Sequence, residues 1–278
     1  MLKERVITAV VLLVVLALIL FVLPPVFFTV FVLVVVAIAA WEWSRLAGLV
    51  RAEHQIGYAA VVFFLVLLLM LLPWLSLFAR LTSTAAIAFW GYALYLIIVN
   101  PEREKNTNPE NSHTALDIPL LGCGAFVLVS TAFAIMELRY HASEHSVWLL
   151  LYVLGLVWIM DIGAYFSGRR FGKTKLAPRV SPGKTREGVY GGFVLALCLV
   201  IFAMLVHAPF REHAFLFLFA SLCAALISVV GDLYESRLKR ASGYKDSSQI
   251  LPGHGGVLDR IDGVVAALPV FLGIWIWA

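Results

Sequence analysis

The sequence predicts an all-α, polytopic integral membrane protein with about nine transmembrane helices and an active site at the cytosolic face. Three observations predict it. The 278 residues are 62% hydrophobic and only 14% charged, and a mean hydropathy of +0.94 excludes an ordinary water-soluble domain. Long apolar runs recur along the whole chain, and a helix needs ~20 residues to cross the ~30 Å hydrocarbon core. The lysines and arginines fall mostly in alternate connections between those runs.

The runs lie at about 6–23, 25–41, 57–73, 82–99, 118–136, 147–166, 190–208, 214–232 and 257–277. They are too long and too weakly alternating for barrel strands. Backbone groups in lipid must bond within their own segment, so each run is a helix. Lys3 and Arg5 ahead of the first run resemble the start of a signal peptide, but no small-residue cleavage site follows. The run meets Pro24-Pro25 and a second begins at once, which favours a retained hairpin. Residues 1–150 then form about five N-terminal spans. Residues 151–278 form a catalytic region with two cytosolic loops, 167–189 and 233–258.

Orientation follows from the cations. With the N-terminus inside, the inner segments hold 18 of the 21 lysines and arginines, leaving Arg80, Arg139 and Arg211 outside. The positive-inside rule therefore puts the C-terminus outside, in the inner membrane if the source is bacterial. The net charge of +4 belongs to loops beside anionic lipid and gives no indication of nucleic acid. Cys123, Cys198 and Cys223 fall inside spans without metal-ligand spacing and read as buried apolar thiols. The connector at 100–117 is polar, with two Asn-Pro steps, and its His113 reads as solvated.

The chemistry concentrates in the two inner loops. The first carries seven cations and the stretch SPGKT, Ser181 to Thr185. Lysine beside glycine and small hydroxyls suits phosphate, although GxxxxGK[ST] is absent and no strand is expected before it. A merely topology-setting basic loop is the plainer alternative. The second region is SRLKRASGYKDSSQILPGHGGVLDRID, Ser236 to Asp262. The last apolar run is short, so its helix should begin near Val257, placing Asp259 and Asp262 at i and i+3 on one face. Asp232 and Asp161 lie near the inner ends of two other spans. Carboxylates at this depth cost a few kcal/mol unless paired or metal-bound. Ion pairing with Arg237, Lys239 or Arg260 is one solution. A Mg²⁺–phosphate site is the other, since Mg²⁺ takes one or two carboxylates and fills its shell with phosphate oxygen and water. His254, between Pro-Gly and Gly-Gly, is better placed to meet a phosphate than to fill a core.

The spaced residues Ser236, Leu238-Lys239-Arg240, Lys245-Asp246, Ser248, Leu251-Pro252, His254-Gly255-Gly256-Val257 and Asp259-Arg260-Ile261-Asp262 resemble the signature of the phosphatidate cytidylyltransferases, or CDP-diacylglycerol synthases. Lys175-Leu176-Ala177-Pro178, SPGKT and Asp161-x-x-Ala164-Tyr165 also resemble that family. The resemblance covers about 150–278 closely and, upstream, rests on the span pattern and Trp41-Glu42-Trp43. It implies that CTP and phosphatidate give CDP-diacylglycerol and pyrophosphate, with Mg²⁺ as cofactor and membrane lipids as surroundings. Asp232 and Asp259 are then the first candidates for metal ligands, helped by Asp262 and Asp161. Lys239, Arg240, Lys245, His254, Arg260, Ser181 and Lys184 would meet phosphate groups, with Gly255 and Gly256 allowing close backbone approach. Asp232, Asp259, Asp262, Lys239 and His254 form the expected catalytic set. A second metal ion and a homodimer are left open. A CTP-dependent lipid kinase would use similar parts but release CDP. A transporter would favour broken helices and charges at the bilayer midplane instead.

Overall fold

The computed structural model describes residues 2–99, 116–140, 146–207 and 209–277. The connector at 100–117, His113 included, falls almost wholly outside them. The elements in order are α1 (Leu2–Phe21), α2 (Pro25–Leu46), α3 (Ala52–Met70), α4 (Leu75–Val99), α5 (Ile118–Tyr140), α6 (Ser146–Phe171), β1 (Lys175–Ala177), β2 (Ser181–Thr185), α7 (Arg186–Val206), α8 (Pro209–Glu212), α9 (Ala214–Ala241), α10 (Leu258–Ile261) and α11 (Val264–Trp275). Among the described residues seven helices, α2 to α7 and α9, are long and apolar enough to cross a membrane. Their surfaces carry open apolar side chains such as Val61 (65% exposed), Leu205 (69%) and Phe215 (79%). Such a surface is an aggregation liability in water and the natural contact with acyl chains in a bilayer. The chain is an all-α integral membrane protein with one small hairpin.

The hairpin, the two inner loops and the last span differ from expectation. SPGKT is a strand, not irregular loop: β2 pairs antiparallel with β1, with Lys175 opposite Thr185 and Ala177 opposite Ser181. Pro182 and Gly183 disfavour helix there, and the pairing supplies the backbone partners instead. Both inner loops are shorter than read, because α6 runs on to Phe171, α7 starts at Arg186 and α9 continues to Ala241. Charge alone does not stop a helix. The stretch after Asp232 holds no glycine or proline until Gly243, whose φ of 77° closes a Schellman turn. There Gly243 N–H donates to the Arg240 carbonyl at 3.2 Å and Tyr244 N–H to that of Lys239 at 2.8 Å.

The final run is not one helix. It breaks at Asp262-Gly263 between α10 and α11, and Asp262 Oδ1 takes the Gly263 N–H at 2.8 Å. An aspartate that captures a neighbouring backbone donor competes with helix continuation. Asp262 therefore sits in a turn rather than on the helical face with Asp259. The 12 residues of α11 extend only ~18 Å at 1.5 Å per residue. The thiols also differ from a uniform buried set: Cys198 is exposed, while Cys123 and Cys223 are half-buried.

Two compact units are present. One comprises α1, α2, α3, the first part of α5 and the segment Leu238–Ile261. Its centre is α2, where fully buried Trp43 donates its indole N–H to the Leu120 carbonyl at 2.8 Å. Just past the end of α9, Ser242 Oγ donates to the Leu46 carbonyl at 2.6 Å, tying this segment to the end of α2. The other unit comprises α4 from Ser76, the end of α5, α6, the hairpin, α7, α8, α9 up to Arg237 and α11. Its closest pair is α6 and α7, which meet through glycines. A Cβ on Gly192 would stand 2.5 Å from the Met160 carbonyl oxygen, the close approach typical of membrane helices. Tyr152, Phe217 and Phe271 pack together in its core, and the Tyr152 hydroxyl donates to Ser221 Oγ at 2.7 Å.

Candidate functional site

In the unit that holds α6, α7 and α11, the hairpin and α9 bring a lysine to a carboxylate. Thr185 ends β2 and caps α7, accepting from Gly188 N–H at 3.1 Å. Glu187 accepts the N–H groups of Lys173 and Thr174 at 3.1 Å, which pins the hairpin to the start of α7. Lys184, on β2, then places Nζ 2.5 Å from Asp232 Oδ2. Asp232 Oδ1 accepts from Ser236 Oγ at 3.3 Å, one turn further along α9. Asp262 is in electrostatic reach of Asp232, Lys184 and Asp161. Gly231 makes this approach possible. A Cβ there would meet the Asp262 carbonyl oxygen at 2.3 Å, so only glycine lets the turn holding Asp262 lie against α9 beside Asp232. Ser181 opens β2 and is half-buried.

The Leu238–Ile261 segment, in the other unit, folds around a second carboxylate. Lys239 Nζ lies 2.6 Å from Asp259 Oδ1. Asp259 Oδ2 accepts Gly256 N–H at 2.8 Å, Ser247 N–H at 2.9 Å and Ser247 Oγ at 3.1 Å. Gly255 stands at φ +87°, and a Cβ on it would come 2.7 Å from Asp259 Oδ2, so the His-Gly-Gly turn and the carboxylate fit only with glycine there. The turn closes through Leu251 N–H to the Gly255 carbonyl and His254 N–H to the Leu251 carbonyl, both 2.9 Å. Lys245, His254 and Arg260 line one open cleft of about 580 Å³ beside this turn. Arg240 projects exposed from the last turn of α9.

The expected residues thus gather as two groups, each in its own unit: Asp161, Lys184, Asp232 and Asp262 in one, Lys239, Lys245, His254, Gly255, Gly256, Asp259 and Arg260 in the other. Both oxygens of Asp259 are engaged, by Lys239 and by the loop donors Ser247 and Gly256, so here it organises the loop.

One residue central to this geometry is named from the sequence only within Trp41-Glu42-Trp43 and given no role there. Glu42 on α2 is fully buried and accepts four donors. Oε1 takes Ser248 Oγ at 2.5 Å and Val257 N–H at 2.9 Å. Oε2 takes Leu258 N–H at 2.6 Å and shares the one Ser247 hydroxyl proton with Asp259 Oδ2, Oγ lying 3.1 Å from each. The available signal was an acid at the very end of the apolar run 25–41, since an ionisable group at membrane depth marks function by default. Arg45 assists, donating Nη1 to the Ser247 carbonyl at 2.8 Å.

Among the described residues no cluster of three or more His, Cys, Asp or Glu is set to hold an ion by protein ligands alone. The carboxylates still fit Mg²⁺, which needs one or two of them and takes its remaining oxygens from phosphate and water. Asp232 already accepts a cation, the Lys184 ammonium.

A model of the cytidylyltransferase family matches residues 3–276. A phosphatidate cytidylyltransferase of Pseudomonas aeruginosa is 42% identical over 278 residues, covering 100% of this chain and 98% of the relative. One from Haemophilus influenzae is 38% identical over 297 aligned positions, covering 98% and 97%. Another from Staphylococcus haemolyticus is 42% identical over 148 residues, about half of each chain.

Proposed function

Since the chain belongs to the cytidylyltransferase family, we propose that it transfers the cytidylyl group of CTP to phosphatidate. The products are CDP-diacylglycerol and pyrophosphate. The observation that carries this is the full-length similarity at 42% identity. A phosphate oxygen of phosphatidate forms the new bond to the α-phosphorus, and the bond to the β-phosphate bridge breaks. No general base is required, because a phosphate monoester with a second pKa near ~6 is largely ionised at neutral pH. The protein's work is positioning and charge neutralisation.

The chain's own residues divide this work. Lys245, His254 and Arg260 face one cleft and neutralise the triphosphate, with the Gly255-Gly256 backbone beside them. Lys239, held by Asp259, and Arg240 add charge at the end of α9. Lys184 and Ser181 supply the hairpin's contribution. Asp232 and Asp262 would hold Mg²⁺, with Asp161 assisting directly or through water; Asp259 would take a metal only by giving up Lys239. Bound Mg²⁺ supplies polarisation of the phosphoryl oxygens and stabilisation of the leaving pyrophosphate. Purified protein given phosphatidate and CTP labelled in the α-phosphate should move the label into lipid and release pyrophosphate. Release of CDP with unlabelled lipid would make it a kinase instead.

Substitution separates this site from a general basic surface. Lys184→Ala and Lys239→Ala each raise the KM for CTP or lower kcat by about tenfold or more, the scale of a lost charged hydrogen bond. Arg51→Ala, outside both groups, leaves both constants near wild type. Equal effects at all three positions would overturn the assignment.

The reading also requires about nine spans with both inner loops in the cytosol, where CTP is made. The cation count supports that orientation. In a background lacking the three native cysteines, Thr174→Cys and Ser242→Cys resist a membrane-impermeant thiol reagent in intact cells, while His213→Cys is labelled. Labelling of Ser242→Cys without permeabilisation would overturn the orientation.

A further inference from the structure

The cleft lined by Lys245, His254 and Arg260 has a neighbour of different chemistry, within the same unit. Lys245, Asp246 and Gln249 border both. The neighbour, of about 740 Å³, has aromatic walls, Trp41 from α2 and Tyr244 from just after α9. Arg45 fixes both rings, its guanidinium carbon 5.1 Å from the Trp41 ring centre and 5.2 Å from that of Tyr244. Tyr244 remains 40% exposed, so ring surface is open to the cleft. Asp246 and Gln249 are exposed at its edge, and among the described residues neither side chain makes a hydrogen bond or ion pair.

An open aromatic surface with a free carboxylate and a free amide at its rim suits a planar heterocycle whose edge carries an amino donor beside acceptors. The polar requirements of the two clefts differ in the way the two ends of a nucleotide differ. One adds His254, Arg260 and glycines, for phosphates; the other adds the Trp41 and Tyr244 rings, for a base, with Asp246 and Gln249 at the boundary between them. We propose that the Trp41–Tyr244 cleft binds the cytosine base of CTP. Asp246 accepts from the exocyclic amine, Gln249 meets the adjoining ring edge, and the triphosphate extends into the neighbouring cleft. This rests on the cytidylyl-transfer reading above. It adds the origin of base choice: uracil places a carbonyl where cytosine has its amine, so Asp246 would face an acceptor with no proton between them.

The test uses the full chain in detergent micelles with phosphatidate, CTP as substrate and UTP as competitive inhibitor. Wild type turns over CTP and binds UTP weakly. Asp246→Asn, whose amide can donate to the uracil carbonyl, lowers the ratio of UTP Ki to CTP KM by about tenfold or more, the scale of one base-edge contact. Tyr244→Ala raises CTP KM and UTP Ki alike by about tenfold, because stacking tolerates either base, and leaves the KM for phosphatidate unchanged. An unchanged ratio in Asp246→Asn, with wild type active, would overturn the base site alone. A raised phosphatidate KM with unchanged CTP KM in Tyr244→Ala would make the cleft a headgroup site. Failure of wild type to release pyrophosphate from CTP would overturn the transfer reading itself.

Discussion

Asp232→Asn lowers kcat by roughly 10²–10⁴, the cost of losing several kcal/mol of charge stabilisation in the transition state. The substitution keeps the side-chain volume and an oxygen for Ser236 Oγ, now 3.3 Å from Oδ1. It removes the charge that holds the Lys184 ammonium and that would hold a divalent cation. Folding should survive, because the pair is about a quarter to a third exposed and such pairs stabilise little. Thermal unfolding in detergent should therefore match wild type while turnover collapses, and residual activity should demand more Mg²⁺. Asp262→Asn behaves the same way. Gly231→Ala, which drives a methyl into the Asp262 carbonyl, reduces activity without touching any charged group. Near-normal kcat for Asp232→Asn at saturating Mg²⁺ would remove that residue from the site.

Much of this arrangement is legible in the sequence because the bilayer leaves few choices. A long apolar run must become a helix in lipid, so α2 to α7 and α9 follow from hydropathy alone. Helix ends do not follow so directly. A run of charges reads as a loop, yet Arg237, Lys239 and Arg240 stay on α9, which ends only where Gly243 allows a left-handed turn. The break before α11 escapes hydropathy as well, since it depends on which donor the Asp262 side chain captures. Residue types in the site are legible for a chemical reason: phosphate and Mg²⁺ need cations, glycines and carboxylates together. Their partners are not. Asp259 carries the same letter whether it waits for a metal or is filled by Lys239, Ser247 and Gly256.

Glu42 is the extreme case of a partner hidden by sequence distance, and its replacement has the second of the large expected effects. Its four donors come from residues 247, 248, 257 and 258, more than 200 positions away. Two of them are the N–H groups at the start of α10, and the other two are the hydroxyls of Ser247, which also meets Asp259, and of its neighbour Ser248. A carboxylate offers only acceptors, which is what four donors require. Glutamine replaces one oxygen with an NH₂ group that must face an N–H and a hydroxyl. The hydroxyl can turn to accept from the NH₂, but the N–H cannot, so Glu42→Gln leaves a buried N–H unmet at about 1–3 kcal/mol, and the least costly relief is for the loop to move away from α2. We expect kcat/KM for CTP to fall about a hundredfold. Protease cleavage between Ser242 and Val257 should accelerate, while helix content in detergent stays near wild type. Glu42→Asp keeps the charge but is one methylene short, and should retain more activity than Gln. Wild-type kcat/KM and protease resistance in Glu42→Gln would show that the loop holds its shape without the buried carboxylate.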